Sequence, residues 1–225
     1  MQILITGGNG LLMSYLLPLI EGEKDAPSIQ ELDITKPIIL DKNYDFIIHA
    51  AAYTDVSRAD KEEIEMANCY RVNVLGTRNL CKATGQIPFI YISTEYVIDP
   101  VNFYALTKLQ GENEVKRYKK DYLILRTLFK PRPFEHLSAV TDQWTTGDYV
   151  DIIAKELAFA INLYIGGIIK DGILNIGTGR KSTYDLARQT RPDIEPIKRA
   201  DIDVILPYDT SLDLSEWRKI KARFQ

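Results

Sequence analysis

Residues 1–12 read MQILITGGNGLL. Gln2 to Thr6 is a short apolar run that enters a glycine-rich turn at Gly7, Gly8 and Gly10, and Leu11 to Ile20 then reads as a buried helix. Strand, glycine turn and helix in that order open a nucleotide-binding α/β fold. Glycine in the turn allows a sharp reversal and lets backbone N–H groups approach a pyrophosphate at a helix N-terminus. A third glycine is expected where the helix packs on the strand, and Met13 stands there instead. The turn alone is equally a plain strand–helix connection that binds nothing. Pro18 is expected to bend the last helical turn.

Working outward, DFIIHAA (45–51), PFIYIS (88–93) and YLILR (122–126) read as buried strands. Residues 61–84 and 103–119 read as the helices between them, with Gly76 marking a close packing contact or a break. A second strand is weakly written, with Ser28 to Leu32 as its only candidate. Right-handed crossovers between such units give a parallel sheet covered on both faces. The expected fold is therefore α/β: a Rossmann-type doubly wound parallel sheet over residues 1–130, with a small C-terminal lobe over 131–225 partly interleaved with it. In that lobe KPRPF is a loop, Asp151 to Leu163 a helix and NIGTG (175–179) a turn after a short strand. Ser182 to Gln189 is a short helix capped by Ser182 or Thr183, and Pro207 to Lys221 ends in a basic amphipathic helix.

Composition narrows the function. The 225 residues carry a net charge of -3, with 45% hydrophobic and 26% charged residues. That balance supports a full core and offers no basic field for a nucleic-acid backbone. Cys69 and Cys81 lie in a helical pattern and read as buried thiols; with His49 and His136 they show no metal-ligand spacing, so no metal is expected. No secretory leader and no membrane-length apolar run is apparent, so a cytoplasmic protein is expected.

Tyr104 and Lys108 in FYALTK are one helical turn apart and share a helix face. An ammonium at that spacing is expected to favour the phenolate and lower the phenol pKa. The preceding strand ends at Ser93-Thr94, which places a hydroxyl where a second donor to the same carbonyl is needed.

TGGNGLL, LDIT, AAAYTDV, RVNVLGT, ISTEYV, YALTKLQGE, LRT, NIGTG and PYDTSLDLSEW follow one another along the whole chain. In that order they resemble the extended short-chain dehydrogenase/reductases, and within them the dTDP-4-dehydrorhamnose reductases. The resemblance implies reduction of a nucleotide-linked 4-keto-6-deoxyhexose with NADP or NAD, in a chain that could pair as a homodimer. By the same resemblance Gly7, Gly10, Leu11 and Leu12 contact the cofactor pyrophosphate and Asp33 and Ile34 border its adenine. Ala51, Ala52, Tyr53 and Thr54 line the nicotinamide riboside. Thr94 holds the substrate carbonyl, Tyr104 supplies the proton, and Lys108 binds the nicotinamide ribose while tuning Tyr104.

Several residues carry two readings. Asp33 borders the adenine or merely closes a turn. Arg126 binds a diphosphate or forms a salt bridge beside the sheet end. Glu95 is an acid for a dehydratase or epimerase on the same scaffold, or touches substrate. Trp144 in DQWTTGDY (142–149) meets the substrate or fixes a loop, and Asn73 reads as a structural hydrogen-bonder. The chain also departs from the family: Met13 replaces glycine, the second strand is degraded, and only residues 95–103 separate Thr94 from Tyr104, so the cleft should be open. These departures keep a non-catalytic regulatory subunit, like those of methionine adenosyltransferase, as the rival from another class.

Overall fold

The computed structural model describes residues 1–224. Its core is six parallel strands. β1 (Gln2–Thr6) leads through the glycine turn into α1 (Leu11–Leu16), which tightens into a 3-10 turn at Leu17–Leu19. β2 (Glu23–Asp25) and β3 (Phe46–His49) flank β1, followed by α2 (Val56–Lys61), α3 (Glu63–Tyr70), a π-helical segment (Arg71–Gly76) and α4 (Thr77–Ala83). β4 (Phe89–Thr94), α5 (Phe103–Tyr118) and β5 (Tyr122–Thr127) complete the first half.

The remainder carries β6 (Phe129–Lys130), β7 (Ser138–Val140), β8 (Trp144–Thr145), β9 (Asp148–Tyr149) and α6 (Val150–Ile165). It ends with β10 (Gly172–Asn175), β11 (Lys181–Ser182), α7 (Thr183–Arg188), β12 (Glu195–Ile197) and α8 (Ser215–Lys221). The sheet order is β10-β5-β4-β3-β1-β2.

Alternation along each strand explains the two covered faces. Ile3 and Ile5, Ile90 and Ile92, and Leu123 and Leu125 point into a core closed by α1 and α6. Leu4, Phe89, Tyr91 and Ile124 point the other way, into a core with Leu80 of α4 and Val115 of α5. Met13 is fully buried in the first core. The position expected to be glycine has become a packing residue between α1 and the sheet, so its loss from the turn motif does not open the fold.

The chain returns to the sheet after residue 130, because α6 packs on α1 and β10 forms the sheet edge. What remains as a second lobe is small. β6–β9, β7–β12 and β8–β11 are short strand pairs, and Phe134, Ala139, Tyr149, Leu186 and Ile194 make its own core.

Two local expectations are corrected. The second strand is Glu23–Asp25, in register with Gln2 to Leu4, and not Ser28 to Leu32. Residues 28–32 instead form a turn, with Leu32 N donating to Ser28 O at 2.9 Å and both Ser28 N and Oγ donating to Glu31. An edge strand reading EKD has no apolar alternation to betray it. The helix expected over 61–84 runs without interruption from Glu63 to Ala83, widened by the π segment, and Glu62, with extended backbone (φ -114°, ψ 117°), separates it from a short preceding helix, α2, that was not expected. Gly76 marks a close contact: a Cβ there would lie 2.8 Å from the Ile34 side chain.

Candidate active site

In an open parallel sheet, ligands bind beyond the carboxyl ends of the strands, where the strand order reverses. Here β1 has β2 on one side and β3 on the other, so the crevice lies between the loops that follow β1 and β3. Those loops touch. Gly7 has φ +77°, and a Cβ on it would sit 2.6 Å from Ala51 N. Glycine is required there by conformation and by space. Gly10 differs: it is exposed, its backbone (φ -75°, ψ 159°) suits any residue, and a Cβ would meet only Gly7 O, at 3.2 Å. Leu11 is also exposed, while Leu12 is buried in the core. The side chain of Leu12 is thus withdrawn from any ligand, and only its backbone can take part.

Residues 51–54 are pinned from below. Asn73 Oδ1 accepts from Tyr53 N at 2.8 Å, and its Nδ2 donates to Tyr53 O at 3.1 Å and Thr107 Oγ1 at 3.0 Å. Asn73 reaches both from the π segment, whose wider turn aims side chains that a regular helix would not. His49 is a core residue: its ring bonds Thr6 Oγ1 and Thr77 Oγ1, and burial holds its pKa down to about 3. Asp33 closes a turn, accepting from Thr35 N and Oγ1 at 2.9 and 2.7 Å, with Lys36 at 3.2 Å. Ile34 is buried beside Gly76.

The Thr94–Tyr104 connection is a 3-10 turn at Glu95–Ile98, after which Asn102 caps α5, its Oδ1 accepting from Ala105 N at 2.8 Å. Thr94 Oγ1 accepts from Tyr96 N at 3.3 Å, which leaves the hydroxyl proton free to be donated. The half-buried Tyr104 packs edge-on against Tyr96 and has the Thr94 side chain within reach. Burial pushes its phenol well above the usual range, with Thr94 acting in the opposite sense.

Lys108 does not lower that phenol pKa, contrary to expectation. Its ammonium donates to Ile92 O at 2.8 Å and lies 4.1 Å from the Tyr91 ring centre. In a dry helix–sheet contact the ammonium takes the nearest carbonyl, and burial brings its own pKa down to about 7.

Two expected substrate residues are structural. Arg126 is bound bidentately by Glu112, at 2.8 and 2.6 Å, and Glu112 is fully buried with Ser93 Oγ also donating to it at 2.8 Å. The salt bridge beside the sheet end is the reading that holds. Glu95 turns away from the cleft into the second lobe, where it accepts from Thr210 Oγ1 at 2.6 Å and from Thr146 N at 3.2 Å. Burial raises its pKa. A carboxyl committed in this way is not a free acid for a dehydratase.

Trp144 is half-buried, with the Arg180 guanidinium 3.9 Å from its ring centre and its backbone paired to Tyr208 and Thr210. These contacts fix the 142–149 loop against residues 208–210, and Gln143 Nε2 donates to Tyr96 OH, in the turn after Thr94, at 3.3 Å. A cavity of about 480 Å³ opens beside the start of α5, lined by Asp60, Lys61, Arg199 and Ile205 among others. Asp60 Oδ1 accepts there from Phe103 N at 2.7 Å.

Residues 1–129 match the family model described as the RmlD substrate binding domain. The chain belongs to this family. It is 29% identical to a dTDP-4-dehydrorhamnose reductase of Mycolicibacterium smegmatis, over 84% of this chain and 68% of that protein. A second, from Aggregatibacter actinomycetemcomitans, is 31% identical over 76% of this chain and 61% of that protein. The chain spans between about half and two thirds of the length of such curated relatives.

Among solved structures it is similar to a dTDP-4-dehydrorhamnose reductase of Bacillus anthracis in complex with NADP. The TM-score is 0.82 and the identity 25%, covering 97% of this chain and 92% of that one. A hypothetical dTDP-4-dehydrorhamnose reductase from Sulfolobus tokodaii is 28% identical, with TM-score 0.79 and coverage of 98% and 94%. The Rossmann-type fold read from the sequence is thus that of the family, and the family is the one its motifs resemble.

Proposed function

We propose that this chain is an NAD(P)H-dependent reductase of nucleotide-linked 4-keto-6-deoxyhexoses. The observation that carries the reading is the convergence of Tyr104 and Thr94 at the carboxyl edge of β4, in a chain whose relatives are named as such reductases. A dinucleotide fits the residues present: an exposed Gly10 beside a turn whose backbone is held by Gly7, and loop 51–54 fixed by Asn73. A bound reduced nicotinamide would supply the hydride.

The protein's own part is electrostatic and acid–base. Thr94 donates its free hydroxyl proton to the substrate carbonyl oxygen, and Tyr104 transfers its phenolic proton as that oxygen becomes an alkoxide. Tyr104 is protonated before the reaction, and the Thr94 contact offsets part of the cost that burial places on the phenolate it leaves. Lys108 holds the ribose end of the cofactor, leaving its contact with Ile92 O to do so.

Two outcomes test the cofactor placement. Gly10→Val should fold, because its backbone already suits valine, yet weaken cofactor affinity by at least tenfold, since the side chain fills the approach to the pyrophosphate. Unchanged affinity in a fluorescence titration would refute the placement.

The second outcome is a pH dependence. Lys108 in the free protein is half-protonated at about pH 7. If the bound cofactor selects the ammonium form, protons are taken up on binding above that pH, so affinity falls as pH rises from 7 to 9. Lys108→Met should bind more weakly and show a flat profile. A sloping profile in Lys108→Met would assign the titration to another group.

A further inference from the structure

In a dinucleotide crevice the end of the second strand faces the adenosine ribose. An acidic side chain there accepts from a free 2′-hydroxyl, whereas a nearby cation accommodates a 2′-phosphate. Here β2 closes on Asp25. The end of β2 lies against the glycine turn, because a Cβ on Gly8 would meet the Ala26 side chain at 2.8 Å. Asp25 therefore stands at the β2 border of the crevice that opens beyond β1.

The carboxylate is fixed and partly open. Its Oδ2 accepts from Lys42 Nζ and from Tyr44 OH, each at 2.7 Å, while Oδ1 has no donor among the described residues. The two bonds hold the Asp25 carboxyl below the usual carboxylate range, so it stays ionised. A 2′-phosphate needs a cation, and these loops offer none that is free. Gly7 to Leu17 carries no lysine or arginine, and neither does Ala26 to Thr35. Lys24 donates to Ile20 O at 2.9 Å, Lys36 pairs with Asp33 at 3.2 Å, and Lys42 is the lysine that Asp25 holds. From Gly22 to Tyr44 five carboxylates stand against three lysines, so the field at this end of the crevice is negative.

We propose that this chain selects NADH over NADPH, with Asp25 Oδ1 accepting from the free ribose hydroxyl and the Asp25 charge turning away a 2′-phosphate. Discrimination then has an attractive and a repulsive part, both carried by one side chain. The inference rests on the cofactor placement above and gives it a preference that the sequence left open. It sets this chain apart from the Bacillus anthracis relative, whose structure is a complex with NADP. The selection is one of affinity. Both cofactors offer the same hydride, so NADPH still serves at higher concentration.

The test is equilibrium binding of NADH and of NADPH to the parent, Asp25→Asn and Asp25→Ser, by calorimetry. A hydrogen bond to a charged group corresponds to a roughly 10- to 100-fold change in affinity. The parent should bind NADH more tightly than NADPH by that factor. Both variants should lose most of the preference, through weaker NADH binding and stronger NADPH binding, because the charge is gone and Lys42 is released. Equal affinities in the parent, or tighter NADPH binding, overturn the assignment. An unchanged ratio in both variants does so too, as does an equal loss of both cofactors, which points to altered structure and not to the ribose. Binding of neither cofactor by the parent overturns this assignment together with the cofactor placement. An Asp25-dependent preference for NADH in a protein that reduces no keto sugar would leave the assignment standing and remove the reductase reading.

Discussion

Tyr104→Phe should lower turnover of a nucleotide-linked keto sugar by about 10²- to 10⁴-fold, the usual contribution of a positioned general acid. The substitution keeps the ring, and with it the edge contact to Tyr96. Thermal stability and NADPH affinity should therefore match the parent. The phenol is held protonated by burial, so what is lost is a proton donor and not a charge. Thr94→Ala should act in the same direction by removing the second donor, and the double variant should lose less than the product of the two singles, because both serve one oxygen. Steady-state rates for the four proteins decide this. Parent-like turnover in Tyr104→Phe would remove Tyr104 from the reaction.

Arg126→Met should destabilise the fold by about 3 kcal/mol, the low end for breaking a buried ion pair. Glu112 has no exposure, so removing its bidentate partner strands a carboxylate between β4 and α5. Ser93 Oγ remains at 2.8 Å and Lys116 at 3.6 Å, which is why the loss stays at the low end. For a chain of this size the melting temperature should fall by roughly 6–12 °C. Arg126→Met combined with Glu112→Met should recover part of it, since two apolar side chains leave no orphaned charge. Calorimetric unfolding checks both. A parent-like melting temperature with weakened substrate binding would return Arg126 to the substrate cleft.

The sheet was legible where strands are buried on both faces. ILIT, FIIH, FIYIS and YLILR are continuous apolar runs, because parallel strands between two helical layers have no polar side. EKD was not legible, because an exposed edge strand three residues long has neither alternation nor β-branched residues. The π segment at 71–76 left no composition signal, since the partners that Asn73 meets from it, Tyr53 and Thr107, come from a distant loop and from α5. Spacing located Tyr104, Lys108 and Thr94, but not which carbonyl the ammonium would choose. That choice is set by Ile92 O, a backbone atom from another element. The same limit applies to Arg126 and Glu95. A charged residue near a strand end reads alike whether it meets a ligand or a partner such as Glu112, 14 residues from Arg126, or Thr210, 115 residues from Glu95.

Turnover of a keto sugar nucleotide by this chain is tested most directly by NADPH consumption by the protein. A thymidine-diphosphate-linked 4-keto-6-deoxyhexose should be present, and the product sugar should be identified in the same reaction. NADPH should be consumed in equal amount to the 4-hydroxy sugar formed, and no consumption should occur without the sugar. A protein that binds NADPH yet consumes none across a panel of nucleotide-linked keto sugars would contradict the claim and favour a scaffold that keeps the fold and the cofactor without the reaction.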